Sequence, residues 1–200
     1  MPRKPKRNTK GKIVSAAWRL FYEQGYEDTT LEDILEASET SRGTFYHYFE
    51  GKDALLGTLS DLFDEKYRQL MPQLREEDDA VTVLAFLNRE LFAMIDSSVS
   101  VELLARLLST QLITRGEKHL LDRNRLYFRL LRTVIARGQS RGELRADRSV
   151  NEIVKAYALM ERGLMYDWCL CSGEYSLSRY SADMMEMFLK IYAAAPGQDS

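Results

Sequence analysis

The chain has 200 residues, of which 45% are hydrophobic and 29% are charged, and its formal net charge at pH 7 is -2. These proportions are typical of a folded globular protein and exclude an intrinsically disordered chain. No apolar stretch approaches the roughly 20 residues of a membrane-spanning helix, and no apolar core of a secretory signal follows the basic start. The composition therefore favours a protein of the cytoplasm with no membrane partner, built as one domain or as a small module joined to a larger one.

Positive charge is concentrated at the beginning of the chain. Residues 1–12 contain six lysine and arginine residues and no acidic residue. Such a segment is attracted to polyanions, although a solvated chain terminus has the same composition. We interpret residues 1–8 as a basic arm that is expected to contact nucleic acid.

Apolar residues recur at helical spacing along nearly the whole chain, which predicts an all-α fold of about nine helices. Thr30 with Asp33, and Ser149 with Glu152, match the capping-box pattern that begins a helix. Pro72 and the acidic residues that follow it indicate a linker. The predicted helices are 9–24, 30–37, 42–49, 52–70, 81–96, 101–113, 117–141, 149–171 and 178–194.

The first three predicted helices form a helix-turn-helix unit, because a tight turn of about four residues joins the second to the third. In such units the second helix of the motif lies in the DNA major groove, and residues near its beginning contact the base edges. Arg42 is suited to a bidentate contact with guanine, and Thr44 to a hydroxyl contact or a thymine methyl. Gly43 removes bulk where the backbone would approach the duplex.

Further along the same segment, Tyr46, His47 and Lys52 are candidates for contacts with the DNA phosphates. Such contacts fix the register of the protein on the duplex without reading the sequence. Three other aromatic residues have the spacing of a buried face and are expected to pack in the small core: Phe45, Tyr48 and Phe49.

Two segments, 21–34 and 41–56, resemble the DNA-binding domain of the TetR family of transcriptional regulators in their spacing, glycines, aromatic residues and trailing lysine. The resemblance covers roughly residues 9–60. It implies an all-helical homodimer, a palindromic operator in double-stranded DNA, and a variable C-terminal domain that binds an inducer or dimerises. Together with the helix-turn-helix geometry, it implies these DNA-binding residues: Thr30, Thr40, Ser41, Arg42, Gly43, Thr44, Tyr46, His47 and Lys52.

The turn of the motif departs from the family pattern. The family usually has glycine and then valine where this chain has Glu39 and Thr40. Thr40 keeps the β-branched shape that fills the small core. If the turn requires a left-handed residue at Glu39, the side chain there costs roughly 1–2 kcal/mol and places a carboxylate near the DNA. The alternative is a turn built differently, and the sequence leaves both open.

Residues 9–55 are thus expected to form the DNA-binding domain, and residues 56–195 a regulatory and dimerisation domain. The last two helices carry broad apolar stripes, and two such helices with their symmetry mates would form a four-helix dimer interface. The alternative is that the stripes face the protomer core. They consist of Val150, Ile153, Val154, Tyr157, Met160, Leu164, Met165 and Trp168, and of Tyr180, Met184, Met187, Phe188, Ile191 and Tyr192.

The resemblance implies an unknown small-molecule inducer, and its pocket is expected among the middle helices. Aromatic side chains there are candidates for the lining because they suit apolar ligands. Each candidate residue is also suited to an ordinary core position. Asn124, Arg125 and Glu161 would supply polar groups. The aromatic candidates are Phe86, Phe92, Phe128, Tyr127, Tyr166 and Trp168.

The sequence gives little support to an enzyme. His47 and His119 are its only histidines, and it contains neither a glycine-rich phosphate loop nor a nucleophile elbow. Cys169 and Cys171 are interpreted as inert thiols, so no metal or other cofactor is expected. We therefore predict a sequence-specific DNA-binding regulator, with repression as the default mode. A helical adaptor that has lost DNA binding is the alternative, and an enzyme is a more distant one.

Overall fold

The computed structural model describes residues 9–113 and 118–194, so the predicted basic arm at residues 1–8 lies outside the described residues. Within those two ranges the fold is all-α, as predicted: nine α-helices and three short 3-10 helices, with a single isolated bridge between Leu144 and Ala193 in place of a sheet. The chain divides into two compact units, Met1–Leu59 and Ser60–Ser200.

The bounds of most helices agree with the prediction to within a few residues. The 3-10 helices are Lys52–Thr58, Met71–Gln73 and His119–Leu121. The α-helices are α1 (Thr9–Gln24), α2 (Leu31–Ser38), α3 (Arg42–Tyr48), α4 (Leu59–Leu70), α5 (Ala80–Ser98), α6 (Val101–Ile113), α7 (Leu126–Ser140), α8 (Val150–Leu170) and α9 (Leu177–Lys190). None of the described helices is both long and apolar enough to span a bilayer.

Both predicted capping boxes are confirmed. At the start of α2, Thr30 Oγ1 accepts a hydrogen bond from Asp33 N at 3.1 Å, and the Asp33 carboxylate accepts one from Thr30 N at 2.8 Å. Because the Thr30 N–H binds the charged carboxylate, it lowers the pKa of Asp33. Ser149 and Glu152 make the same reciprocal bonds at the start of α8. Local sequence alone is therefore enough to fix where these two helices begin.

Two predicted helices are wrong in part. The predicted helix 52–70 is divided into the 3-10 helix Lys52–Thr58 and α4. The predicted helix 117–141 begins too early, because α7 begins only at Leu126. There the Asp64 carboxylate accepts hydrogen bonds from Leu126 N at 3.0 Å and from Arg125 Nη2 at 2.6 Å. The cap thus comes from α4, which a search for local caps cannot detect.

The first unit has a small core in which α1 packs against α2 and the 3-10 helix Lys52–Thr58. Trp18 Nε1 donates to Thr58 Oγ1 at 2.7 Å and ties these elements together. Phe45 and Phe49 are buried, as predicted, but the prediction for Tyr48 is wrong because 41% of its surface is exposed. The helix ends at Tyr48, and the extended backbone of Phe49 brings that ring into the core. The other fully buried residues of this unit include Ile13, Ala17, Ile34 and Leu55.

In the second unit α5 packs against α7 and α9, while α8 packs against α6, α7 and α9. Gly138 allows α7 to approach the beginning of α5 closely, since a Cβ at that position would lie 2.4 Å from the Cβ of Ala80. The buried faces of α5 and α8 meet around Asn88 and Glu161, two buried polar residues joined by a hydrogen bond. This polar pair lies at the centre of the helical bundle.

Candidate nucleic-acid interface

The turn between α2 and α3 is built on a left-handed residue. Glu39 has φ 53° and ψ 43°, so the first of the two alternatives left open by the sequence is correct. Its backbone N–H donates to Glu36 O, and Thr40 N donates to Leu35 O at 3.0 Å. The Thr40 hydroxyl lies 2.7 Å from that of Ser38, and the half-buried Thr40 side chain fits its expected place beside the core. The turn keeps its geometry at a cost in backbone strain.

We expect Glu39→Gly to raise the free energy of unfolding by about 1 kcal/mol, because glycine adopts this backbone conformation without a Cβ clash. Urea denaturation of the purified variant measures the change. Glu36→Gly, at an exposed site within α2, is the matched control and is expected to lower the same quantity by about 1 kcal/mol. If Glu39→Gly lowers the free energy of unfolding as much as Glu36→Gly does, then Glu39 carries no backbone strain.

The beginning of α3 is organised by Ser41, whose Oγ accepts a hydrogen bond from Thr44 N at 3.1 Å and lies 2.8 Å from Thr44 Oγ1. A Cβ at Gly43 would meet no protein atom within 4 Å, so the protein's own packing does not require glycine there. Ser41, Arg42 and Gly43 are exposed. The first turn of α3 therefore presents two hydroxyls, a guanidinium and bare backbone to solvent.

Arg42 has a partner that sequence reasoning missed. Its guanidinium forms an ion pair with the carboxylate of Glu32 on α2, and the two side chains are 57% and 65% exposed. An ion pair this exposed contributes at most about 1 kcal/mol. Arg42 can therefore leave Glu32 for a guanine edge at little cost. Detecting the pair requires the angle between α2 and α3, which no local pattern in the sequence provides.

Lys52, a predicted phosphate contact, is already hydrogen-bonded within the protein. Its Nζ donates to the backbone oxygens of Tyr26 and Thr29, both at 2.8 Å, and lies 4.2 Å from the centre of the Tyr26 ring. Two of its three N–H bonds thus hold the loop between α1 and α2. The third N–H would be available to a phosphate next to Thr30. The phosphate contact therefore stays a prediction, and Lys52 has a second, structural role in holding this loop.

The predicted site residues fall into two local groups. Lys52 lies beside the exposed cap residue Thr30, and Arg42 lies beside Glu32, two residues further along the chain. Tyr46, which is 50% exposed, and His47 lie on α3 and are accessible to solvent. The arrangement offers hydroxyl, imidazole and cationic donors on one helix-turn-helix unit, which is the chemistry that phosphate and base edges require.

The six aromatic candidates for the ligand pocket lie in different environments. Tyr127 lines a void of about 30 Å³, and Tyr166, which is 51% exposed, lines a neighbouring cleft of about 360 Å³. The remaining four line neither cavity. Phe92, Phe128 and Trp168 are buried, and Phe86 is half-buried. Of the polar candidates, Arg125 and Glu161 line the void, whereas Asn124 is exposed and does not.

The apolar stripe predicted on α8 faces the core of its own protomer, which is the alternative that the sequence left open. Six of its eight residues are buried. A different row of α8 is exposed and apolar: Leu159 is 62% exposed and Leu170 is 67% exposed. On α9 the predicted stripe does reach the surface, at Tyr180 and Met187, and continues just beyond the helix at Ile191. The buried α8 residues are Ile153, Val154, Tyr157, Leu164, Met165 and Trp168.

The two cysteines are half-buried thiols. Cys169 Sγ lies 3.9 Å from the backbone oxygen of Val101, and burial raises the pKa of Cys169 to about 11. Its thiol therefore stays protonated at neutral pH, and a protonated thiol is a poor nucleophile. Among the described residues no group of histidine, cysteine, aspartate or glutamate is arranged to hold a metal ion.

Comparison with known proteins agrees with this geometry. The profile of the family described as "Bacterial regulatory proteins, tetR family" matches residues 13–59. The transcriptional regulator CymR of Pseudomonas putida is 29% identical over 141 residues, covering 68% of this chain and 70% of CymR. The regulator TtgR of the same species is 27% identical over 182 residues, covering 84% of each protein.

A solved structure extends the likeness to the second unit. FadR of Thermus thermophilus, a TetR-family transcriptional repressor crystallised with lauroyl-CoA, superimposes with a TM-score of 0.72 at 25% sequence identity. The match covers 96% of this chain and 100% of that one. These proteins are transcriptional regulators and not enzymes. The match identifies residues 13–59 as a helix-turn-helix domain of the TetR family. This domain and the all-helical fold together identify the chain as a helix-turn-helix transcriptional regulator.

Proposed function

We propose that the protein is a repressor that acts as a homodimer on a palindromic operator and is released by a small molecule bound in its second unit. Each protomer places α3 in the major groove, and the two copies lie about one DNA turn apart. The observation that carries the proposal is the first turn of α3, where a serine cap presents Arg42 and Thr44 beside an unobstructed backbone at Gly43.

Within this proposal the residues have different tasks. Arg42 reads a guanine edge, after exchanging the Glu32 carboxylate for the base. Thr30, Tyr46, His47 and Lys52 contact phosphates and set the register of the protein on the duplex. Ser41, Gly43 and Thr44 let α3 approach the bases, while Thr40 stabilises the turn through its hydroxyl contact with Ser38.

The dimer is supported by the apolar surface of α8 and α9. A groove of about 380 Å³ runs between them, lined by Leu159, Met160, Gly163, Tyr180 and Phe188 among others. Exposed apolar rows on two neighbouring helices leave a surface that a monomeric protein rarely presents to water. A second copy covers it by symmetry, with the same residues contributed from each side.

Release of DNA requires that the ligand bind the non-DNA state more tightly, since equal affinity for both states would shift nothing. The structure of T. thermophilus FadR with lauroyl-CoA shows that a regulator of this fold can hold a ligand with an apolar chain. In this chain the void of about 30 Å³ and its neighbouring cleft are the places where a ligand of the second unit would bind.

A gel-shift experiment with the DNA that flanks the protein's own coding region tests the proposal. We expect a shifted complex at low salt, and a selection from random DNA should return an inverted repeat. A protein that is dimeric by light scattering and gives no shift at low salt would contradict DNA binding, and would favour the adaptor alternative.

Deleting residues 1–8 is expected to weaken binding evenly across DNA sequences and to flatten its salt dependence, because those residues carry four lysines and arginines and no acidic group. Fluorescence anisotropy at several salt concentrations measures both effects. A deletion that changes the preferred base at one position of the operator would show instead that the arm reads sequence.

A further inference from the structure

The second unit contains a small polar void enclosed by α4, α5, α7 and α8. Its volume of about 30 Å³ is that of one water molecule or one small functional group. Half of its ten lining residues are apolar. The polar side chains that line it are Tyr67, Arg125, Tyr127, Glu161 and Arg162.

Glu161 is 2% exposed and lies at the centre of this cluster. Its two carboxylate oxygens accept hydrogen bonds from Asn88 Nδ2 at 3.0 Å and from the Tyr127 hydroxyl at 2.7 Å. Burial raises the pKa of Glu161. It takes part in none of the ion pairs found among the described residues. Such a carboxylate keeps the capacity to accept one more hydrogen bond inside the core.

Two further polar groups of the cluster have no hydrogen-bond partner among the described residues: the Tyr67 hydroxyl and the Arg125 Nε–H. Tyr67 is 1% exposed, and its hydroxyl is therefore shielded from bulk solvent. The Arg125 guanidinium is held by Asp64 at 2.6 Å and by Ser60 O at 2.9 Å, both through Nη2. Buried groups without partners are rare in proteins because each costs stability, and a ligand that satisfies them removes that cost.

An apolar cleft of about 360 Å³ adjoins the void. Leu120 and Arg162 line both cavities, so they form the wall between them. The rest of the cleft is mostly apolar and includes Leu108, Leu112 and Tyr166. An apolar molecule in the cleft could therefore extend one small polar group past Leu120 toward Glu161.

We propose that the void and the cleft form one binding site for a neutral, apolar molecule that carries a hydroxyl group. The hydroxyl donates to the Glu161 carboxylate and accepts from the Tyr67 hydroxyl and the Arg125 Nε–H, while the apolar body occupies the cleft. This inference names the ligand class of the proposed repressor and rests on that function only for the ligand's role as an inducer.

The charges of the site exclude the other simple head groups. A carboxylate on the ligand would face the buried Glu161 carboxylate, which opposes its attraction to Arg125 and Arg162, and it has no proton to donate to Glu161. An ammonium would be attracted by Glu161, but it has no lone pair to accept from Tyr67 or Arg125, and it would meet the positive charge of Arg162. Only a group that both donates and accepts satisfies all three unmatched positions at once.

Isothermal titration calorimetry of the full-length protein without DNA tests the proposal with four matched probes: para-pentylphenol, pentylbenzene, para-pentylbenzoate and para-pentylbenzylamine. We expect para-pentylphenol to bind at least about tenfold more tightly than pentylbenzene, because the phenol hydroxyl makes hydrogen bonds to the polar groups that line the void and pentylbenzene cannot. The benzoate and the benzylamine should bind more weakly than the phenol. Equal affinities for the phenol and pentylbenzene, or tightest binding of a charged probe, would overturn the proposal.

Tyr67→Phe separates ligand binding from folding. It removes the hydroxyl without a partner, so we expect the preference for the phenol to fall to within about threefold while the unfolding temperature of the free protein does not decrease. Tyr157→Phe is the matched control. Tyr157 is equally buried and its hydroxyl also interacts with Glu161, but that hydroxyl donates to Leu84 O at 2.8 Å and Tyr157 does not line the void. The control should unfold at a lower temperature and keep the preference.

A Tyr67→Phe variant that keeps the full preference would overturn the assigned role of the hydroxyl. A drop in its unfolding temperature would do the same, by showing that the hydroxyl is already bonded in the free protein. If the phenol binds with the expected preference yet leaves the operator complex intact, the ligand site stands and the inducer role in the proposed function fails.

Discussion

Replacing Leu159 with glutamate is expected to convert the homodimer into monomers and to weaken operator binding by about a hundredfold or more. Leu159 is 62% exposed on α8 and lines the groove between α8 and α9. In the proposed dimer the substitution buries an unpaired carboxylate in each copy, which costs several kcal/mol. Because a monomer reaches only one half of the operator, it also loses the gain in affinity from linking two half-sites.

Analytical ultracentrifugation and fluorescence anisotropy measure the two effects. The free energy of unfolding of the isolated protomer should change little, since Leu159 is exposed in it. Leu62→Glu is the matched control, because Leu62 is 39% exposed on α4 and does not line the groove between α8 and α9. It should remain dimeric. A Leu159→Glu variant that stays dimeric at micromolar concentration would contradict the proposed interface.

Replacing Arg42 with alanine is expected to cost about 1–3 kcal/mol for each half of the operator and to relax the base preference at one position. The arginine side chain is exposed at the beginning of α3, where a base edge can reach it. Arg42→Lys is the sharper comparison. It keeps the positive charge but loses the two parallel N–H donors, so the base preference should fall while the salt dependence stays nearly unchanged.

Selection from random DNA followed by anisotropy on single-base variants of the operator measures these changes. If Arg42→Ala weakens all sequences equally and reduces the salt dependence, then Arg42 contacts a phosphate and not a base. If Arg42→Lys preserves the base preference in full, the bidentate contact is wrong.

Local patterns in the sequence determined much of the first unit. The two capping boxes and the periodic apolar residues are interactions between residues three or four apart, which act wherever the segment lies. For the same reason the beginning of α2 was predicted to within one residue, and α3 was placed with Arg42 in its first turn. The unusual turn was recognised at Glu39, but its conformation was not.

Long-range contacts decided the rest. The Arg42–Glu32 ion pair depends on the angle between two helices, and the beginning of α7 depends on a carboxylate 62 residues earlier in the chain. Sequence periodicity identified α8 as amphipathic but could not separate its two apolar faces, and the more regular one proved to be the core face. Of the buried cluster, the sequence identified Glu161, Arg125 and Tyr127 as separate pocket candidates but not the contacts among them.

The all-helical fold and the helix-turn-helix with Arg42 at the beginning of its third helix follow from the sequence, because short-range hydrogen bonds and apolar spacing specify both. The packing of the helices determines which side chains have partners and which are exposed. It assigned Arg42 to Glu32 and Lys52 to the loop between α1 and α2, and it left the Tyr67 hydroxyl unpaired among the described residues. Burial and hydrogen bonding between distant segments arise only once the helices are packed.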